Sequence, residues 1–196
     1  SSPAQGRHGG FMEVLNSRIK VKEIFGKWKP ETVEKEIAEM DSLEEVDVVF
    51  AHNDVMAMAA RRAIERMHPG LADRICFVGI DAVSGRGSGL EAVMHGELAA
   101  SVLYPTGGSL AIRVAMQILN GEDVSRQYLL SSALIDKNNA GTLFIQSEQV
   151  VDYQHQIELQ RENLESMLSK YTFLQNSVGI ILLLMGMLLL SALYVV

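Results

Sequence analysis

Four side chains carry most of the chemistry that this sequence offers: Arg7, Asn53, Asp81 and Tyr104. A guanidinium supplies several N–H donors, an amide donates and accepts, a carboxylate accepts from hydroxyls, and a phenol ring can cover an apolar face. That set suits a small polyhydroxylated ligand, with hydrogen bonds to charged groups contributing roughly 1.5–3 kcal/mol each. Each residue also has a plainer use. Asn53 and Asp54 suit helix capping, Asp81 a turn, Arg7 a surface charge, and Tyr104, before Pro105, the lining of a turn. Position has to decide between the two.

Other chemistry is thin. Gly85-Arg86-Gly87-Ser88-Gly89 lacks the Gly-Lys-Ser/Thr ending that cradles a nucleotide phosphate and reads as a mobile loop. His8, His52, His68, His95 and His155 show no paired spacing, so no metal is expected. Neither a cofactor motif nor a nucleophile–base arrangement is visible. The net charge of −7, with Lys and Arg dispersed among more numerous acids, argues against nucleic acid as a partner. The single cysteine, Cys76, excludes an internal disulfide; inside Ile75-Cys76-Phe77-Val78 it reads as a buried, inert core thiol.

The elements that must hold the four residues follow from periodicity. Phe11, Val14, Leu15 and Arg18 predict a helix over about 7–18, with Arg7 just ahead of it, and Val21–Phe25 reads as a short β-rich run. Pro30 opens a helix whose buried stripe is Val33, Ile37 and Met40. Val46, Val48, Val49 and Phe50, with little alternation, have the apolar character of a parallel strand over 46–51 covered on both faces. A helix from Asn53-Asp54 follows, burying Met56, Ala60, Ala63, Ile64 and Met67 and ending at Pro69-Gly70. The cycle repeats with strand 75–80, helix 88–95, strand 98–103, helix 107–119 and strand 129–135. Such alternation predicts an α/β fold, a parallel sheet with helices on both faces. Ligands of such sheets bind beyond the carboxyl ends of the strands, and Asn53, Asp81 and Tyr104 each follow a strand.

From Ser147 the sequence becomes continuous helix former. Val150, Tyr153, Ile157, Gln160, Leu164, Met167, Tyr171, Leu174 and Val178 step by three and four, an a/d seam that predicts a homodimeric coiled-coil stalk over 147–175. A single amphipathic helix lying on its own domain is the other reading. Tyr171–Val196 holds 26 uncharged residues, roughly 39 Å of helix at about 1.5 Å per residue against a hydrocarbon core of about 30 Å. A transmembrane helix is therefore expected over 176–196, after a globular domain over 1–140. No signal peptide or initiator Met is present, and both ends are expected to be cut.

Ser2-Pro3-Ala4, Arg7, Gly10-Phe11, then Val49 to Ala57, then Val78-Gly79-Ile80-Asp81, then Leu98 to Pro105 resemble the C-terminal lobe of type I periplasmic sugar-binding proteins, the ribose-binding and lac-repressor-like class. The resemblance covers nearly all of residues 1–136. It implies ligand contacts for Arg7, Asn53 and Asp81, and a pocket position for Tyr104, where ribose binders carry an amide. A lobe of this kind followed by a stalk and a membrane helix resembles the extracytoplasmic sensor of hybrid two-component histidine kinases. The reading is a sugar-sensing, periplasmic portion of a membrane receptor with its N-terminal lobe missing. A tethered binding protein serving a transporter, and an enzyme on a doubly wound sheet, are the rivals.

Overall fold

The computed structural model describes residues 2–194, so Ser1 and the last two positions of the expected membrane segment, Val195 and Val196, lie outside it. It divides into two units, Ser1–Glu148 and Gln149–Val196.

The first unit is built on four strands, β1 (Val48–Phe50), β2 (Cys76–Asp81), β3 (Ala100–Leu103) and β4 (Ala133–Asp136), in that spatial order. β1, β2 and β3 run parallel, while β4 pairs antiparallel with β3 through Ser101↔Ile135. The α/β class is as expected, with the direction of β4 as the departure. Hydropathy shows that a strand is buried but carries no sign for its direction. The strand also starts later than 129, and Leu129 is left 89% exposed.

Side-chain alternation divides the sheet into two faces. Phe77, Gly79, Ser101 and Ile135 are buried on one. Against it pack α3 (Asp54–Met67) and α4 (Gly89–Met94), and α2 (Pro30–Ala38) packs on α3. Ile64, Phe77, Val93, Leu98 and Ile135 are the fully buried centre of this core. α2 starts with Pro30 in its first turn and buries Val33 and Ile37, as its stripe predicts. Met67, expected in the core, is instead 39% exposed.

The second face is more open. α1 (Ser2–Val14) lies over its β1 edge, Phe11 stacking on Phe50 with ring centroids 4.2 Å apart. Cys76 points to this face and is exposed, correcting the expectation of a core thiol. Its run alternates, with Ile75 and Phe77 buried and Cys76 between them facing outward. α5 (Gly108–Leu119) buries none of its residues. Val21–Phe25 forms no strand: it has no pairing partner, and Phe25 is 73% exposed.

After β4, α6 (Ala140–Tyr194) is one continuous helix. Its seam residues Ile157, Leu164, Met167 and Tyr171 are all exposed. The helix is long and apolar enough to cross a membrane, by length and composition.

Candidate functional site

The carboxyl ends of β1, β2 and β3 bring three of the four expected residues into mutual contact. Arg7 is the hub. It sits in the second turn of α1, not ahead of the helix as the sequence suggested, because α1 starts at Ser2. From there its Nη2 donates to Asp81 Oδ1 at 2.9 Å. Its Nη1 donates to the carbonyl of His52, the residue that leaves β1. Its guanidinium also lies 4.8 Å from the centre of the Tyr104 ring and 5.8 Å from that of Trp28, within cation–π range of both.

Asp81 ends β2, and Tyr104 directly follows β3. The Tyr104 amide donates to the Asp81 carbonyl at 3.3 Å, continuing the ladder one step past the strand ends. The Arg7 side chain is 14% exposed and that of Asp81 29%, while Tyr104 is 55% exposed. The ion pair is thus largely desolvated, and the phenol stands beside it in solvent. A ligand reaching this surface meets a donor fork, an acceptor carboxylate and two ring faces together.

Asn53 is one residue beyond the His52 carbonyl that Arg7 engages. Its side-chain oxygen accepts from the Met56 amide at 2.8 Å, so it caps α3. Capping uses the amide oxygen and does not call on the NH2 group as a donor. The two readings of Asn53 are therefore compatible.

Two contributors escape a reading of the sequence. Trp28 follows Gly26-Lys27 in a turn closed by Lys29 N–H donating to the Gly26 carbonyl at 2.8 Å, with Lys27 and Trp28 both at positive φ, 52° and 61°. The turn brings the indole within range of the guanidinium, a placement with no local signature. Asp54 is the other. It is 3% exposed, and its carboxylate accepts from Ser101 Oγ at 2.6 Å and from the Ala82 amide at 2.8 Å. Burial pushes its carboxyl up to about 6, partly offset by those two bonds.

His52 packs edge-on to Phe50 and His8, the ring centroids 6.0 and 6.3 Å away. Burial, then the nearby His8 and Arg7, hold its imidazole below the ordinary histidine range, so it favours the neutral form. Among the described residues no group of His, Cys, Asp and Glu is arranged to hold a metal.

A cavity of about 440 Å³ lies elsewhere in the first unit, lined by Arg61, Phe77, Val93, Glu97, Asp136 and Lys137 among others. Arg61 is spent on Asp73 at 2.8 Å and Asp136 on the Asn138 amide at 2.8 Å. The strand-tip cluster is the stronger candidate, because it lies at the carboxyl ends of neighbouring parallel strands and sets an exposed Tyr104 ring beside the ion pair.

A cation, a carboxylate, an amide and aromatic rings at the carboxyl ends of neighbouring parallel strands are the arrangement of a small-molecule-binding lobe. Residues 1–123 match the periplasmic binding protein domain, and the chain belongs to that family. It is 38% identical over 95 residues to the ribose import binding protein of Salmonella typhimurium, a match covering 47% of this chain and 30% of that protein. Its fold matches the fructose binding periplasmic domain of a hybrid two-component system at a TM-score of 0.71 and 32% identity, over 80% of this chain and 53% of the other. A Mycobacterium smegmatis protein in complex with β-D-fucofuranose matches at a TM-score of 0.64 and 26% identity, over 77% and 50%. The chain thus spans about half the length of these solved structures and under a third of the ribose protein. The family that the motifs resemble is the family found.

Proposed function

We propose that residues 1–140 form one lobe of a sugar- or polyol-binding sensor, in which Arg7, Asn53, Asp81 and Tyr104 contact the ligand. The observation that carries this is the convergence of Arg7, Asp81 and Tyr104 on one surface at the strand tips. A monosaccharide hydroxyl can donate to Asp81 while a neighbouring oxygen accepts from Arg7, and the Tyr104 ring covers a C–H face. The fructose binding domain of a hybrid two-component system, at 32% identity, favours a sensor. In this reading the ligand-binding domain is extracytoplasmic, 147–175 pair as a coiled coil between two copies, and 176–196 cross the membrane. The parent protein is then a signalling receptor, a histidine kinase by the same resemblance. Its lobe binds and releases ligand, with no catalytic step of its own.

Two measurements test the reading. Calorimetry of the intact protein against a monosaccharide panel should find a binder, and Asp81→Ala should weaken it about a hundredfold. Failure of every sugar to bind would remove the ligand class. Inserting two residues at Gln160 turns the following helix by about 200° relative to the preceding one. Signalling should change while ligand affinity stays. Unchanged signalling would favour the second reading, a tethered binding protein that passes solute to a transporter, which the similarity to a ribose import binding protein supports.

A further inference from the structure

The backbone that presents Asp81 is strained. Asp81 has φ 114° and Ala82 φ 47°, both in the region that L side chains rarely adopt. Neither residue is glycine, so the turn persists only where surrounding contacts over-determine it. Two buried side chains, Asp54 and Ser101, supply contacts of that kind. Asp54 accepts from the Ala82 amide at 2.8 Å and from Ser101 Oγ at 2.6 Å, and Ser101 Oγ also lies 3.1 Å from the Ala82 amide. All three groups are buried, Ser101 completely.

Space has been cleared for this carboxylate on two sides. A Cβ added to Gly79 would lie 2.1 Å from Asp54 Oδ1 and 2.9 Å from the Asp54 Cα. One added to Gly89, at the start of α4, would lie 1.8 Å from Oδ2. Neither glycine has a positive φ, so close approach and not backbone freedom requires them. An acid in the first turn of a helix ordinarily faces solvent or the helix's own amides. Asp54 instead links α3 to the Ala82 amide just past β2 and to Ser101 of β3, with Gly89 of α4 close against its carboxylate.

We propose that Asp54 is a positioning residue: it never touches ligand, but fixes the left-handed Asp81–Ala82 turn that aims the Asp81 carboxylate at Arg7, and so sets ligand affinity. The proposal rests on Asp81 being a ligand contact. It also explains why the Asp54 carboxyl tolerates burial: both oxygens receive donors in place of water. What the turn needs is an acceptor of that shape facing Ala82. An asparagine supplies one through its oxygen, while its NH2 group can donate to Ser101 Oγ.

The test uses the full chain with Asp54→Ala, Asp54→Asn, Ser101→Ala and Asp81→Ala, with D-ribose and D-fructose as probes. Hydrogen exchange of the 79–84 segment needs no sugar. Asp54→Ala should expose the Ala82 amide to faster exchange while amides around Ile64 and Phe77 keep their protection, and Asp54→Asn should restore it. Affinity should fall about tenfold or more in Asp54→Ala, recover to within about threefold in Asp54→Asn, and the Asp54→Ala and Asp81→Ala losses should not add. Unchanged protection at Ala82, or additive losses, overturns the proposal. If wild type binds neither sugar, the ligand reading is in question, and exchange alone decides whether Asp54 holds the turn. If Asp54→Ala does not fold, Ser101→Ala, which removes the donor to Asp54 and the second acceptor of the Ala82 amide, carries the exchange measurement in its place.

Discussion

At the strand tips, the bonds that matter join residues far apart in the chain: Arg7 to Asp81 across 74 positions, and Asp54 to Ser101 across 47. In the outer part of α6 the side-chain bonds span four positions, as in Arg161 with Glu165, Thr172 with Leu168 and Ser177 with Phe173. The first region exists only when the whole lobe is folded. The second is specified turn by turn. Damage should therefore spread differently in the two. A single change at the tips reaches several residues, whereas a change in α6 acts through its local polarity or its phase.

The largest effect that would break this contrast belongs to α6. Leu184→Arg places a charge near the middle of the apolar segment and should oppose membrane insertion by roughly 2.5–3.5 kcal/mol, read as lost integration in a glycosylation-mapping assay. Ligand affinity of the lobe should not change. Normal integration would argue that the segment is not a membrane span.

Next comes the buried carboxyl of Asp54. Its folded value of about 6 stands above the ordinary 3.8, so the favourable contribution is fully present below about pH 3.8 and lost as pH rises through about 6. Asp81 opposes the ionised form and Arg7 favours it, while burial remains the dominant cause. Asp54→Asn removes this dependence. The variant should be more stable than wild type at pH 7, by up to roughly 3 kcal/mol, with the advantage vanishing near pH 4 in thermal melts. An advantage independent of pH would mean that the carboxyl does not titrate in this range.

The smallest effects sharpen the picture of the tips. Trp28→Ala and Tyr104→Ala should each weaken sugar binding by about tenfold, as lost stacking on an exposed ring does. Trp28 is the sole tryptophan, so ligand binding should also shift the intrinsic fluorescence of wild type. A silent indole together with an unaffected Trp28→Ala would place the ring outside the site.

The same contrast explains what could be read in advance. Apolar runs and breakers located β1, β2, β3 and the helices after them, because burial is recorded in residue type. Asn53 was legible as a cap since capping is local chemistry. The α6 period was legible for the same reason. The place of Arg7, inside its helix and not ahead of it, was not legible, because α1 is glycine-rich and packs Phe11 on Phe50 without a strong period of its own. Val21–Phe25 has strand-like composition but no edge to pair with. Trp28 and the inward turn of Asp54 depend on φ angles and on contacts with distant glycines, which no window of sequence contains.

The reversal of β4 has a mechanical result. Register pairs Asp136 with Ala100, the first residue of β3, so the chain quits the sheet at the end opposite Asp81 and Tyr104. α6 starts four residues later, at Ala140, whose side chain is completely buried. The length of β3 therefore separates the strand tips from the residue at which α6 begins.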